Sequence, residues 1–326
     1  MKLLPKFLLR AMLALTVACF GCGAFAGGYP DHPVRIIVPF PPAGPTDIIG
    51  RLVALRLSEL LGQQFVVENR GGANGVIGTT VVAKAAPDGY TILLTASGPV
   101  ASGLALYHGI PYDVVRDLAP IAIVARSDIV LVARPDFPAK SFQEFLDTAK
   151  TKPDGVSAEL NTIGSIHHLL TELLRVRTGA KLLTVPYKGS GPAIVDLLGS
   201  HIDVGFESVP GVVSYIRSHQ LRAYAVASDK RLASMPDVPT LKELGLTEFV
   251  AEPWWAVMAP AGTPQEVIDK LSAALAKVAE PQAVKDQFSA QGMTADWTTP
   301  ADAAQFVKTE VARWADIVKV TGAKMD

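Results

Sequence analysis

Two cysteines stand in 326 residues, and both fall within the first 22 positions, as Cys19 and Cys22. A chain that loses that segment keeps no thiol, which excludes disulfides, a thiolate nucleophile and a cysteine-based metal site. Net charge is also lacking, since 30 basic and 31 acidic residues nearly cancel. Without a basic face, no nucleic-acid partner is expected. Beyond position 26 no uninterrupted apolar run approaches the ~20 residues that span a bilayer. The chain has no H-E-x-x-H, no G-x-S-x-G and no Walker loop. Those motifs would mark zinc hydrolysis, serine hydrolysis and nucleotide binding. No catalytic residue, cofactor or metal is expected.

The first residues speak to compartment. Lys2, Lys6 and Arg10 precede an apolar stretch from Ala11 to Phe20, and Ala24-Phe25-Ala26 has the small-x-small form of a cleavage site. That is a secretory signal peptide, expected to be cut after Ala26, with residues 27–326 soluble in the periplasm. Thr16 lies where lipoprotein signals carry an aliphatic residue, so lipidation of Cys19 is not expected. Removing three basic and no acidic residues from the 30 and 31 leaves a formal charge of −4.

Short β-rich runs then alternate with helical patterns, the mark of α/β sheets with crossover helices. Val34–Phe40 reads as a buried strand and Ile48–Leu61 as a helix ended by Gly62. A second strand at 65–67, a helix near 76–86 and a third strand at 91–95 complete a doubly wound start. The middle continues with strands at 121–124, 129–133, 182–185, 202–206 and 221–227. Helices there are expected over 141–150, 165–177, 192–198 and 209–218. Ser141-Phe142-Gln143-Glu144 and Thr263-Pro264-Gln265-Glu266 are capping boxes, and Thr299-Pro300 opens a last helix. Val307, Val311, Trp314 and Val318 would form its apolar stripe.

Four strand-to-helix turns could carry function. Phe40-Pro41-Pro42-Ala43-Gly44-Pro45-Thr46-Asp47 leads straight into a helix. Its prolines stiffen the turn, so that amides at the positive helix end can face an anion such as a carboxylate. Asn69-Arg70-Gly71-Gly72-Ala73-Asn74-Gly75 lets the backbone approach a small ligand closely, and its spacing is not that of a dinucleotide fingerprint. Thr95-Ala96-Ser97-Gly98 ends a strand with two hydroxyls. Asn161-Thr162-Ile163-Gly164-Ser165 repeats small polar residues at a helix start. Each hydroxyl taken alone is better read as an ordinary cap.

These stretches, with VVENRGGANGVIG (66–78), VPYKGSGPAIVDLLGSHIDVGF (185–206) and MPDVPTLKELGL (235–246), resemble the extracytoplasmic solute-binding receptors of tripartite tricarboxylate transporters, the Bug or TctC-like family. The resemblance implies a type II periplasmic-binding-protein fold, with two α/β lobes joined by crossing strands around a ligand cleft. Residues 27–125 and 229–326 would form one lobe and 126–228 the other, with hinges near 124–127 and 226–229. It further implies that Pro42, Ala43, Gly44 and Asp47 hold a carboxylate, with Ala73, Asn74, Thr95, Ser97 and Ser165 in the rest of the pocket. Glu207 and Ser208 stand where the family often has Asp or Asn, and Ile166 replaces a hydroxyl residue. An acidic Glu207 in the pocket would repel a second carboxylate or accept from an amine.

The implied function is capture of a di-, tri- or aromatic carboxylate by a monomer whose lobes close on it. Its partners would be membrane transporter subunits or a sensor kinase. The alternative is a secreted hydrolase or isomerase on the same scaffold. His168 and Glu172 share a helix face at metal-ligand spacing, but no third ligand accompanies them. Trp254-Trp255 reads as packing of a return strand.

Overall fold

The computed structural model describes residues 28–323 apart from positions 43, 108, 188, 291 and 292. The expected cleavage after Ala26 and the expected contact residue Ala43 therefore lie outside the described residues. In chain order the strands are β1 (Val34–Val38), β2 (Phe65–Asn69), β3 (Thr91–Ala96), β4 (Leu118–Arg126), β5 (Ile129–Ala133), β6 (Val156–Leu160), β7 (Leu182–Pro186), β8 (Val204–Ser208), β9 (Arg222–Val226), β10 (Trp254–Pro260) and β11 (Thr294–Ala295). The helices are α1 (Pro45–Leu61), α2 (Val76–Ala83), α3 (Val114–Asp117), α4 (Phe142–Thr151), α5 (Ile166–Thr178), α6 (Ser190–Leu198), α7 (Val209–Arg217), α8 (Gln265–Ala279), α9 (Gln282–Ala290) and α10 (Pro300–Thr321).

The strands make two mixed sheets, ordered β11-β4-β10-β3-β1-β2 and β7-β6-β8-β5-β9. In the first, β1 lies parallel to β2 and β3, as the doubly wound pattern requires. Its middle is different: β10 enters antiparallel between β3 and β4. That return strand comes from far along the chain, and no local pattern specifies where it inserts. β1 is apolar apart from the exposed Arg35, and both its faces are covered. Ile36 and Val38 pack with Ile49, Val53 and Leu57 of α1 and Leu271 and Leu275 of α8, whereas Ile37 faces the core on the other side.

That other core is continuous from sheet to sheet. It joins Ile37 and Leu93 to Leu131, Phe145, Leu169 and Phe206 through Trp254 and Trp314. Glu310 of α10 lies at its centre, accepting from Trp254 Nε1 at 3.3 Å and from Trp314 Nε1 at 2.9 Å. Buried indole donors need such partners.

The caps mostly follow the sequence signals. Ser141 Oγ accepts from Glu144 N at 3.2 Å and Thr299 Oγ1 from Asp302 N at 3.1 Å. α8 departs from its pattern, since Pro264 is its N-cap residue and Thr263 Oγ1 instead donates to Pro260 O at 2.8 Å. β6 and α9 carried no legible signal.

The chain passes between the sheets twice. β4 runs into β5 through Ser127 and Asp128. After Val226 the chain stays beside the second sheet, bridging Val226 to Thr240, and it regains the first at Trp254. The two passages touch, Ser127 N donating to Pro253 O at 2.9 Å, and the second is tied to itself, Ala251 N donating to Ala227 O at 2.7 Å. Among the described residues no helix is long and apolar enough to cross a membrane.

Candidate functional site

The turn that follows β1 is held from three sides. Asn69, the last residue of β2, donates Nδ2 to Phe40 O at 3.1 Å and to Asp47 Oδ1 at 2.9 Å. Arg51, one helical turn on, pairs with Asp47 Oδ2 at 2.9 Å. Trp255 Nε1 of β10 donates to Thr46 Oγ1 at 3.0 Å. The Asp47 carboxylate, expected to face a ligand, is thus buried and engaged in fixing the turn. Gly44 precedes the helix with extended backbone, Pro45 occupies its first position, and the N-cap residue, a glycine, has no side chain to cap this end. A 17-residue helix therefore presents its positive end at the carboxyl edge of the sheet. Pro42 is exposed and Gly44 half-buried beside it.

The second turn lies against the first, since a Cβ at Gly71 would sit 3.3 Å from the Pro41 ring. Ala73 and Asn74 both adopt the left-handed conformation at φ 47°, uncommon for residues with a side chain. Gly75 is needed here on two counts: its φ is 88°, and a Cβ would meet Pro99 at 2.9 Å. Asn74 also lies beside the third turn, 3.2 Å from where a Gly98 Cβ would be. Thr95 and Ser97 of that turn are buried, and Thr95 Oγ1 donates to Ala96 O at 3.1 Å.

Asn74 is also where the two sheets' turns meet. Its Nδ2 donates to Gly164 O at 3.4 Å, joining the first-sheet turns to the turn before α5. There Ser165 caps α5 through His168 N at 3.2 Å and donates to Asn161 Oδ1 at 3.1 Å. Asn161 Nδ2 reaches Ser190 Oγ at 3.1 Å, at the start of α6. His168 Nδ1 accepts from Gly164 N at 3.1 Å, and Glu172 pairs with Arg175, so both members of the metal-spaced pair have protein partners. His167 Nε2 contacts Ser208 Oγ at 3.0 Å. Part of His167 reaches solvent, but its Nδ1 edge is enclosed, and burial lowers the ring to about 4.

Glu207 stands behind this wall with no solvent exposure. Glu159 of β6 shares its sheet face and is also buried. Neither carboxyl has a hydrogen bond of sound geometry. Burial raises Glu207 to about 8, opposed by the nearby side chains of Ser190 and Asn161. Burial also raises Glu159 well above the carboxylate range, and the charge on Glu207 adds to this. Glu159 occupies space that Gly205 leaves open, for a Cβ there would lie 2.3 Å from Glu159 Cγ.

Among the described residues the four turns are therefore linked in series from Pro41 through Asn74 to Ser165, and Glu207 lies behind the second-sheet end. From sequence, Asn69 and Asn161 are legible only as members of their turns and Trp255 as packing, and Ser190 and Glu159 carry no legible role. Asn69 and Trp255 act through pairings that no local motif encodes.

Against this arrangement, residues 49–323 match the family model TctC, described as the tripartite tricarboxylate transporter family receptor. The chain belongs to the TctC family. It is 46% identical to protein BugT of Bordetella pertussis over 320 residues, covering 97% of this chain and 98% of that protein. Among solved structures, the periplasmic binding protein BugD is 36% identical with a TM-score of 0.80, over 91% of this chain and all of that one. The protein Rpa4515 of R. palustris, solved with adipate, is 32% identical with a TM-score of 0.82 over the same shares. This TctC receptor thus has the periplasmic-binding-protein fold, and it is a solute-binding protein rather than an enzyme.

Proposed function

We propose that this TctC receptor captures a small carboxylate between two lobes and delivers it to the membrane subunits of its transporter. The observation that carries this is the α1 start: a long helix whose N-cap residue is a glycine, in a turn clamped by Asn69, Arg51 and Trp255. A carboxylate there supplies the missing cap and meets the positive helix end. The relative solved with adipate supports this reading. Pro42, Ala43 and Gly44 contact the carboxylate, and Asp47 keeps the turn in shape. Ala73, Asn74, Thr95, Ser97 and Ser165 enclose the rest, with Glu207 behind them.

Each sheet with its helices forms one lobe, and closure bends the two passages, at Ser127–Asp128 and at 251–253. The second passage is assigned there, rather than near 226–229, because residues 239–241 pack along β9. Export with cleavage after Ala26 places the receptor in the periplasm.

Titration calorimetry of residues 27–326 against C4–C6 and aromatic carboxylates tests this. At least one acid is expected to bind at least tenfold more tightly than its amide, a difference of about 1.4 kcal/mol. Gly44→Phe, which puts a ring at the helix entrance, is expected to abolish that binding while leaving the fold intact. Amides that match their acids, or a Gly44→Phe protein that binds normally, would remove the anion site at α1.

A further inference from the structure

Deepening that reading, and resting on it, we propose that the second-sheet end of the cleft receives a protonated amine, so that the ligand is an aminocarboxylate and Glu207 sets this choice. In sheets of this kind ligands lie beyond the carboxyl ends of the strands. Glu207 is the second-last residue of β8, and Asn161 immediately follows β6, its parallel neighbour. The side chains of Asn161 and Ser190 lean on the Glu207 carboxyl, and through Asn161 they connect to Ser165 and the cleft. Asn161 thus stands between Ser165 and the buried Glu207 carboxyl.

Those carboxyls lack a partner. Buried acids are ordinarily matched by a cation or by full hydrogen bonding, and neither is present among the described residues. From β6 Glu207 faces Glu159, and the turn into α6 and α6 itself bring Tyr187 and Asp196, whose side chains bond to each other at 2.6 Å. The α5 histidines lie toward the other face of the second sheet, where His167 meets Ser208, and burial keeps both neutral. β5 and α7 offer Val130, Val209 and Val212, which carry no charge. Among the described residues the surroundings are acidic or neutral, and Gly205 makes the room for Glu159. A second ligand carboxylate would add a third acid to this layer. An ammonium group supplies donors that neither carboxyl has, and beside it Glu207 can give up its proton.

Matched ligands decide the matter: 6-aminohexanoate against adipate, and 4-aminobutanoate against succinate, titrated by calorimetry at pH 7 in two buffers of different ionisation enthalpy. The unmodified receptor is expected to prefer the amine member of at least one pair roughly tenfold or more. Binding is expected to release close to one proton as Glu207 ionises beside the ammonium. In Glu207→Gln the preference and the proton release both disappear, while the protein still unfolds cooperatively at pH 5. Equal or tighter binding of both dicarboxylates by the unmodified receptor overturns the inference and leaves the carboxylate reading standing, as does an amine preference without proton release. Failure of every acid, monocarboxylates included, overturns both.

Discussion

At pH 8 the Glu207→Gln protein is expected to unfold about 5–10 °C above the unmodified chain, and at pH 5 at nearly the same temperature. Glu207 holds its proton up to about 8 in the folded protein, whereas an unfolded glutamic acid releases it near 4.3. Its raised folded value therefore contributes stability that is present below the unfolded value. That contribution is lost as pH rises through the window to about 8, at roughly 1.4 kcal/mol per pH unit at most. Allowing for relaxation around Ser190 and Asn161, about 2–4 kcal/mol is lost by pH 8. Glutamine copies the shape of the protonated acid and cannot ionise. At 2–4 °C per kcal/mol for a chain of this size, the shift should be plain in calorimetric scans across pH. Parallel profiles for the two proteins would mean that Glu207 is solvated or paired.

Gly205→Ala is the second large effect, and it tests the other half of the pair. The new methyl would lie 2.3 Å from Glu159 Cγ and 2.5 Å from its Oε1, between two strands that cannot part. Overpacking of this kind, with a polar group forced out of place, costs about 2–4 kcal/mol. Urea unfolding should show that loss, and adding Glu159→Ala should recover more than half of it. Neighbouring residues behave non-additively in this way. If the single variant is neutral, or if the two losses simply add, Glu159 does not lie over Gly205.

Both effects concern residues that sequence alone could only half interpret. The path from β1 through the proline turn into α1 was legible because each signal is local: an apolar run, three prolines, an i, i+4 stripe closed by Gly62. β6 was hidden because Ser157 and Glu159 break its apolar pattern, and a buried Glu is what pattern reading treats as exposed. Glu207 stood out as an unusual acid, but its pairing with Glu159 depends on β6 and β8 lying side by side, 48 positions apart in sequence. β10 belongs to the same class. Trp254 and Trp255 read correctly as packing, yet that Trp255 Nε1 would bond Thr46 across 209 residues follows only from where β10 inserts.

Asp47 shows a different limit. Its position in the turn was clear from sequence, and an acid at a helix start suits the helix dipole. What sequence could not show is that Asn69 and Arg51 occupy its two oxygens. An anion at the α1 start is compatible with a carboxylate three residues beyond Gly44 because those partners take up its charge.

The most direct measurement is a crystal structure of residues 27–326 with a carboxylate that calorimetry shows to bind. The account predicts one ligand carboxylate at the start of α1, within hydrogen-bond distance of backbone amides between Gly44 and Asp47, with the far end of the ligand toward Ser165 and Ser190. A ligand whose carboxylate lies elsewhere, with the α1 start filled by water, would contradict it.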